Sequence, residues 1–187
     1  MRLIAFITVL LFLAGCSYRW GFRERAVPGG YKQIAIPIFK NKTPEVGIEA
    51  DFTNALVRRF ERSQVASITS KNGAPVRLEG IIEKLDVQSG PGLRGGDPNT
   101  LLPTDAILTT EYHLFVRCKI KVLRQSDEKV LWEGVIAQQK NYQAPRIGEP
   151  VVNSANALYN ESARRYTLGQ LAEEMMSEAH DRITENF

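Results

Sequence analysis

Five basic residues are the first candidates for chemistry. Arg117, Lys119 and Lys121 recur at a spacing of two, Arg94 precedes them and Lys140 follows. On a β-strand, a spacing of two puts side chains on one face. Guanidinium and ammonium groups gathered there can meet phosphates or carboxylates, arginine as a fork and lysine as a point charge. The ligand such a face suits is an anionic glycolipid. Two other readings of the same residues stay open: a solvated sheet face kept wet by its charges, and a face that packs on a protein wall.

Other chemistry finds little support. Gly90-Pro91-Gly92-Leu93-Arg94-Gly95 spells G-x-G-x-x-G. A dinucleotide fingerprint needs a helix opening directly behind it, to bring the pyrophosphate to a helix N-terminus. Here Gly96-Asp97-Pro98-Asn99 follows and then a strand pattern, so a flexible loop is expected and no cofactor. The two histidines, His113 and His180, stand in no motif and read as surface or packing residues. No HExxH, CxxC or GxSxG is present, so no metal or activated nucleophile is expected. Glu173, Glu174, Glu178 and Asp181 read as a solvated helix face. The formal net charge of +3 is too weak to argue for nucleic acid.

The N-terminus carries a different chemistry. Arg2 is followed by an uncharged apolar run from Leu3 to Leu13, then Ala14-Gly15-Cys16. A positive start, an apolar run of roughly 7–15 residues and small residues at the cut form a secretory signal peptide. The run falls short of the roughly 20 apolar residues that span a bilayer. Leu13-Ala14-Gly15-Cys16 resembles the bacterial lipobox, which implies that Cys16 is diacylated on sulfur, becomes the first residue and is acylated on its amine. One acyl chain binds a membrane marginally and several bind it firmly, each buried methylene giving about 0.8 kcal/mol. Ser17 follows where an Asp would favour inner-membrane retention, which points to the outer membrane. The other cysteine, Cys118, then has no partner in the chain and reads as a small buried apolar residue.

The elements that must position these groups follow from periodicity. Residues 1–15 are a signal peptide, 16–30 a lipidated tether with Tyr18, Trp20 and Phe22 as pins, and 31–187 the folded domain. Ile34–Phe39 reads as a strand placed at an edge or bulged, because Pro37 lacks a ladder donor. Thr43-Pro44-Glu45 reads as a helix start with Thr43 as N-cap. Ile48, Phe52, Ala55, Leu56 and Phe60 then form a helical stripe ending near Ser63. Val76–Val87 is a second strand whose alternation slips at Ile81-Ile82, so a bulge belongs there. A long loop is expected from Gln88 to Ala106. Tyr112–Val122 alternates strictly, turns at Gln125–Glu128 and returns as Val130–Tyr142, an antiparallel hairpin. After a loop around Pro145–Pro150, Leu168, Leu171, Ala172, Met175, Ala179 and Ile183 stripe a long last helix running from about Ser154. The order β-α-β-β-β-α implies an α+β fold: a four-stranded, mainly antiparallel sheet with two helices packed on one face.

Assembled in that order, the chain resembles the LPS-assembly lipoprotein family LptE. The likeness runs through Tyr18-Arg19-Trp20 after the lipobox, Pro28 to Asn41 with its proline, Glu49 to Leu56, Val130-Leu131-Trp132-Glu133-Gly134, and Asn160 to Glu174. It implies a non-enzymatic lipoprotein at the outer membrane. Such a protein is plug and assembly partner of the large β-barrel LptD, and the pair delivers lipopolysaccharide to the outer leaflet. Some members bind lipopolysaccharide through basic residues near the sheet, which makes Arg94, Arg117, Lys119, Lys121 and Lys140 candidates for that contact. The alternative is a glycolipid-binding outer-membrane lipoprotein without a barrel partner.

Overall fold

The computed structural model of the chain describes residues 25–96, 104–105, 107–144 and 157–185, without the side chains of 93, 107, 108 and 157–159. The expected signal peptide, Cys16 and its aromatic neighbours, and the loop at 145–150 lie outside them. Among the described residues the element order is β1 (Gln33–Ala35), β2 (Lys40–Asn41), α1 (Ile48–Ser63), β3 (Ser67–Ile68), β4 (Val76–Ser89), β5 (Gly92–Arg94), β6 (Ile107–Thr109), β7 (Glu111–Arg124), β8 (Val130–Gln143) and α2 (Ala157–Thr184).

The fold is α+β with two helices, but the sheet is larger and more mixed than the expected four antiparallel strands. Six strands form one open sheet in the order β3-β1-β4-β7-β8, with β2 also on β4. Strands β4, β7 and β8 make the antiparallel centre. The first strand is not an antiparallel edge: β1 runs parallel between β3 and β4, and β2 runs parallel to β4 farther along. Proline explains the break between β1 and β2. Pro37 has no N–H to give a ladder, so pairing stops after Ala35 and resumes at Lys40. In the gap, the Phe39 amide donates to the Thr53 hydroxyl on α1 at 3.0 Å. A buried donor without a partner would cost about 1–3 kcal/mol.

Helix α1 starts later than Thr43-Pro44 predicts. Its N-cap is Gly47 at φ 95°, a left-handed conformation that suits glycine. Thr43 belongs instead to a turn held by Asn41, whose side-chain oxygen accepts from the Thr43 amide and hydroxyl, both at 2.8 Å. The helix ends at Ser63 as expected, with Gln64 left-handed at φ 56°. It buries Ile48, Phe52, Ala55, Leu56 and Phe60, while Leu168, Leu171, Ala172, Met175, Ala179 and Ile183 are buried from α2. The two helices pack on each other, α2 along β8 and α1 beside β2 and β3.

Beneath them lies the inner sheet face: Val76, Leu78 and Ile82 of β4, Leu114, Val116, Cys118, Ile120 and Val122 of β7, and Ile136 of β8, all buried. Gly80, Ile120 and Gly134 are neighbours in register across it. The Phe39 ring covers Gly80 and the Trp132 indole covers Gly134, each so closely that a Cβ would lie 2.4 Å from ring carbons. The expected irregularity in β4 is present, one residue along, between Ile82 and Lys84. It returns Leu85 to the side of Val116. The expected 88–106 loop is partly ordered as strand: β5 and β6 pair antiparallel as a two-stranded ribbon beyond the ends of β4 and β7.

Candidate functional site

The outer face of the antiparallel centre is where the strand spacing aims its charges. Register places Arg117 opposite Lys84 and Ala137, Lys119 opposite Ile81 and Val135, and Lys121 opposite Glu79 and Glu133. The three cations do share one face, and each has a carboxylate. Glu133 accepts from Lys119 at 2.6 Å and from Lys121 at 3.2 Å, while Glu83, at the bulge, accepts from Arg117 at 3.2 Å. The hydrogen bond from Lys119, then that from Lys121, holds the Glu133 carboxyl below its ordinary range, and the Lys119 ammonium is held above its own chiefly by the same bond. Around them Lys84 pairs with Asp86 at 3.3 Å and lies 5.7 Å from the centre of the Phe115 ring. Arg77 forks between Glu79 and Glu128 at 3.0 and 2.8 Å. Five cations and five carboxylates therefore interleave on this face, with Val135 exposed among them. The result is a neutral, polar surface, not a basic patch.

The other two basic candidates lie elsewhere. Lys140 stands on the helix side of β8 and pairs with Glu174 of α2. Arg94 is exposed on the β5–β6 ribbon. The structure thus brings Arg117, Lys119 and Lys121 together and separates Arg94 and Lys140 from them. Cys16 lies outside the described residues. The carboxylates Glu83 and Glu133 are the members that spacing alone did not reveal. Their role depends on strand register, and only the alternation of β8 hinted at it.

The acidic residues of α2 are not simply solvated: Glu173 binds Arg58, Glu174 binds Lys140, and Glu178 binds Gln138 and Arg182. His113 is held by Asn141 at 2.7 Å. His180 is fully buried, edge-on to Phe60 at 4.8 Å. Its Nδ1 lies 3.2 Å from Asp181 and its Nε2 2.8 Å from the Ser63 hydroxyl. The Ser63 hydroxyl in turn donates to the Phe60 carbonyl at 3.1 Å, so the imidazole is held between that hydroxyl and the Asp181 carboxylate. Cys118 is buried in the core, which pushes its thiol up to about 12. Among the described residues no group of three or more His, Cys, Asp or Glu could hold a metal ion, and no helix is long and apolar enough to cross a membrane.

Comparison with known proteins adds to this geometry. The family model described as LptE, lipopolysaccharide-assembly, matches residues 31–186. No curated protein matches the sequence. A PelC dodecamer from Paraburkholderia phytofirmans is similar at TM-score 0.52 and 10% identity, covering 87% of this chain and 93% of that one, which is a likeness of fold alone. A minor lipoprotein from Acinetobacter baumannii has TM-score 0.43 at 13% identity over 81% of this chain and 94% of its own. The rare lipoprotein B from Shewanella oneidensis has 0.37 at 17% identity over 81% and 89%.

Proposed function

The chain belongs to the LptE lipopolysaccharide-assembly family, and from that premise we propose that it is an outer-membrane lipoprotein, acylated at Cys16, that serves as plug and assembly partner of the LptD β-barrel in lipopolysaccharide transport. Its work is fitting and binding, not catalysis. The observation that carries the reading is the family match across residues 31–186. The outer sheet face supports it physically. The lumen of a large outer-membrane barrel is polar and wet, and a face of alternating ion pairs suits such a wall. Interleaved charges fix register and orientation more than they add affinity.

The glycolipid reading without a barrel is weaker on the same face. Arg117, Lys119 and Lys121 are already paired with Glu83 and Glu133, so an incoming phosphate must displace a carboxylate. Site-specific photo-crosslinking in cells tests the proposal. A crosslinker in place of Lys121 is expected to trap a β-barrel of the outer membrane. Failure to trap a barrel from either Lys121 or Val135 would count against this face. For the anchor, palmitate labelling of the wild type should vanish in Cys16→Ala, and persistent labelling would remove Cys16 from the account.

A further inference from the structure

A second group of cations lies far from the sheet face, at the end of the body where the chain enters it. Arg25 pairs with Asp181 at 3.0 Å, and the Ala26 amide lies 3.4 Å from the Thr184 carbonyl near the end of α2. Val27 is fully buried. The tether is thus seated beside the C-terminal ends of both helices. There a cavity of about 460 Å³ is lined by Arg25, Lys32, Arg59, Arg62, Ser63, Gln64, Val65 and His180.

Four of those residues are cationic and none is acidic. Helix C-termini attract cations, and this is the ordinary reason to find arginine in a last turn. The magnitudes favour more than that. Each helix end supplies about half a negative charge, and Asp181 supplies one more, bound to Arg25 and, at 3.6 Å, to Arg59. Among the described residues the three arginines alone, Arg25, Arg59 and Arg62, outweigh these negative charges. His180 adds none at neutral pH, because burial holds it below its ordinary value. The Arg59 Nε is buried without a hydrogen-bond partner, although burying an unpaired donor is costly. Ser63 and Gln64 add neutral polar groups at the wall.

We infer that this cavity is an anion site that takes the phosphate headgroup of an acidic membrane lipid. Guanidinium groups such as those lining it match the geometry of phosphate oxygens. The lipid source follows from the tether. Arg25 is nine residues after Cys16, so the chain between them spans at most about 30 Å. A body anchored at Cys16 therefore keeps this cavity within reach of the bilayer surface. The source, but not the anion site, rests on the proposed acylation. The site goes beyond the plug reading and does not depend on it.

The test uses the full chain, purified without any barrel in an uncharged detergent. It is titrated by calorimetry with short-chain phosphatidylglycerol, phosphatidylcholine of equal length, and inorganic phosphate. Phosphatidylglycerol is expected to bind, with phosphatidylcholine at least about tenfold weaker for want of net charge. Arg62→Glu and Arg59→Gln should each weaken binding by about tenfold or more, the loss of one charge-assisted contact. Arg62 is exposed, so its variant keeps the test valid if Arg59→Gln fails to fold. Arg165→Glu reverses an exposed charge about 22 Å away along α2 and should leave affinity within about twofold. Equal binding of the two lipids, unchanged affinity in Arg62→Glu, or an equal loss in Arg165→Glu would overturn the site. Inorganic phosphate binding as tightly as phosphatidylglycerol would overturn the lipid source. Any of these failures leaves the barrel crosslinks unaffected, so the two readings stand or fall separately.

Discussion

Cys118 shows how burial sets reactivity at the scale of one residue. Its thiol is fully buried on the inner sheet face and pushed up to about 12, and the thiolate is the reactive form. Native protein is expected to resist maleimide or iodoacetamide at pH 8 and to react fully in urea, as read by mass spectrometry; fast labelling of native protein would contradict the core position. The strand pattern alone made this burial legible. His180 was not legible, since its partner Ser63 is 117 positions away. Burial lowers its pKa, against the pull of Asp181. The unfolded chain therefore binds a proton more readily below pH 6.5, and stability should fall as pH drops through that value towards the folded one. The groups facing it are Asp181, Arg59, Arg25, Ser63 and Phe60. Urea midpoints at pH 8 and pH 5.5 should differ more in the wild type than in His180→Gln. An equal drop in both would assign the pH response to other groups.

The elements divide by the range of the forces that make them. The β7–β8 hairpin, the α1 stripe and the α2 stripe rest on local periodicity and appear where that periodicity places them. The start of α1 and the first strand were misread because long-range partners decided them. Asn41 captures Thr43 before it can cap a helix, and the broken first strand lies parallel to a β4 more than thirty residues away. Four substitutions at three positions test this level. Thr53→Val removes the acceptor for the Phe39 amide and should cost about 1–3 kcal/mol, while Thr53→Ser should retain most of it. Gly80→Val drives a side chain into the Phe39 ring, which is buried and cannot swing out, and should cost a further about 1–3 kcal/mol by overpacking. Gly169 faces open space on α2, so Gly169→Ala should stabilise by up to about 1 kcal/mol. Urea denaturation measures all four. A neutral Gly80→Val would show that the sheet does not depend on the Phe39 cover.

The whole molecule has two unlike ends and two unlike faces. One end carries the tether, both helix C-termini and the β7–β8 turn, and the other carries the β5–β6 ribbon. One sheet face is covered by helices, and the other presents interleaved ion pairs. The sequence placed Arg117, Lys119 and Lys121 on that second face, but not the carboxylates that neutralise them, because pairing across strands depends on register. The tether-end cations were hidden for the same reason: Arg25, Lys32, Arg59 and Arg62 come from three separate segments. The polar face and the anchor proposed at Cys16 together give the proposal its physical form, a body held by another protein at a membrane. Co-isolation tests that most directly. The tagged full-length lipoprotein, extracted from outer membranes in mild detergent, should elute with a large β-barrel in stoichiometric amount. Elution of the lipoprotein alone, with the barrels intact in other fractions, would contradict the account.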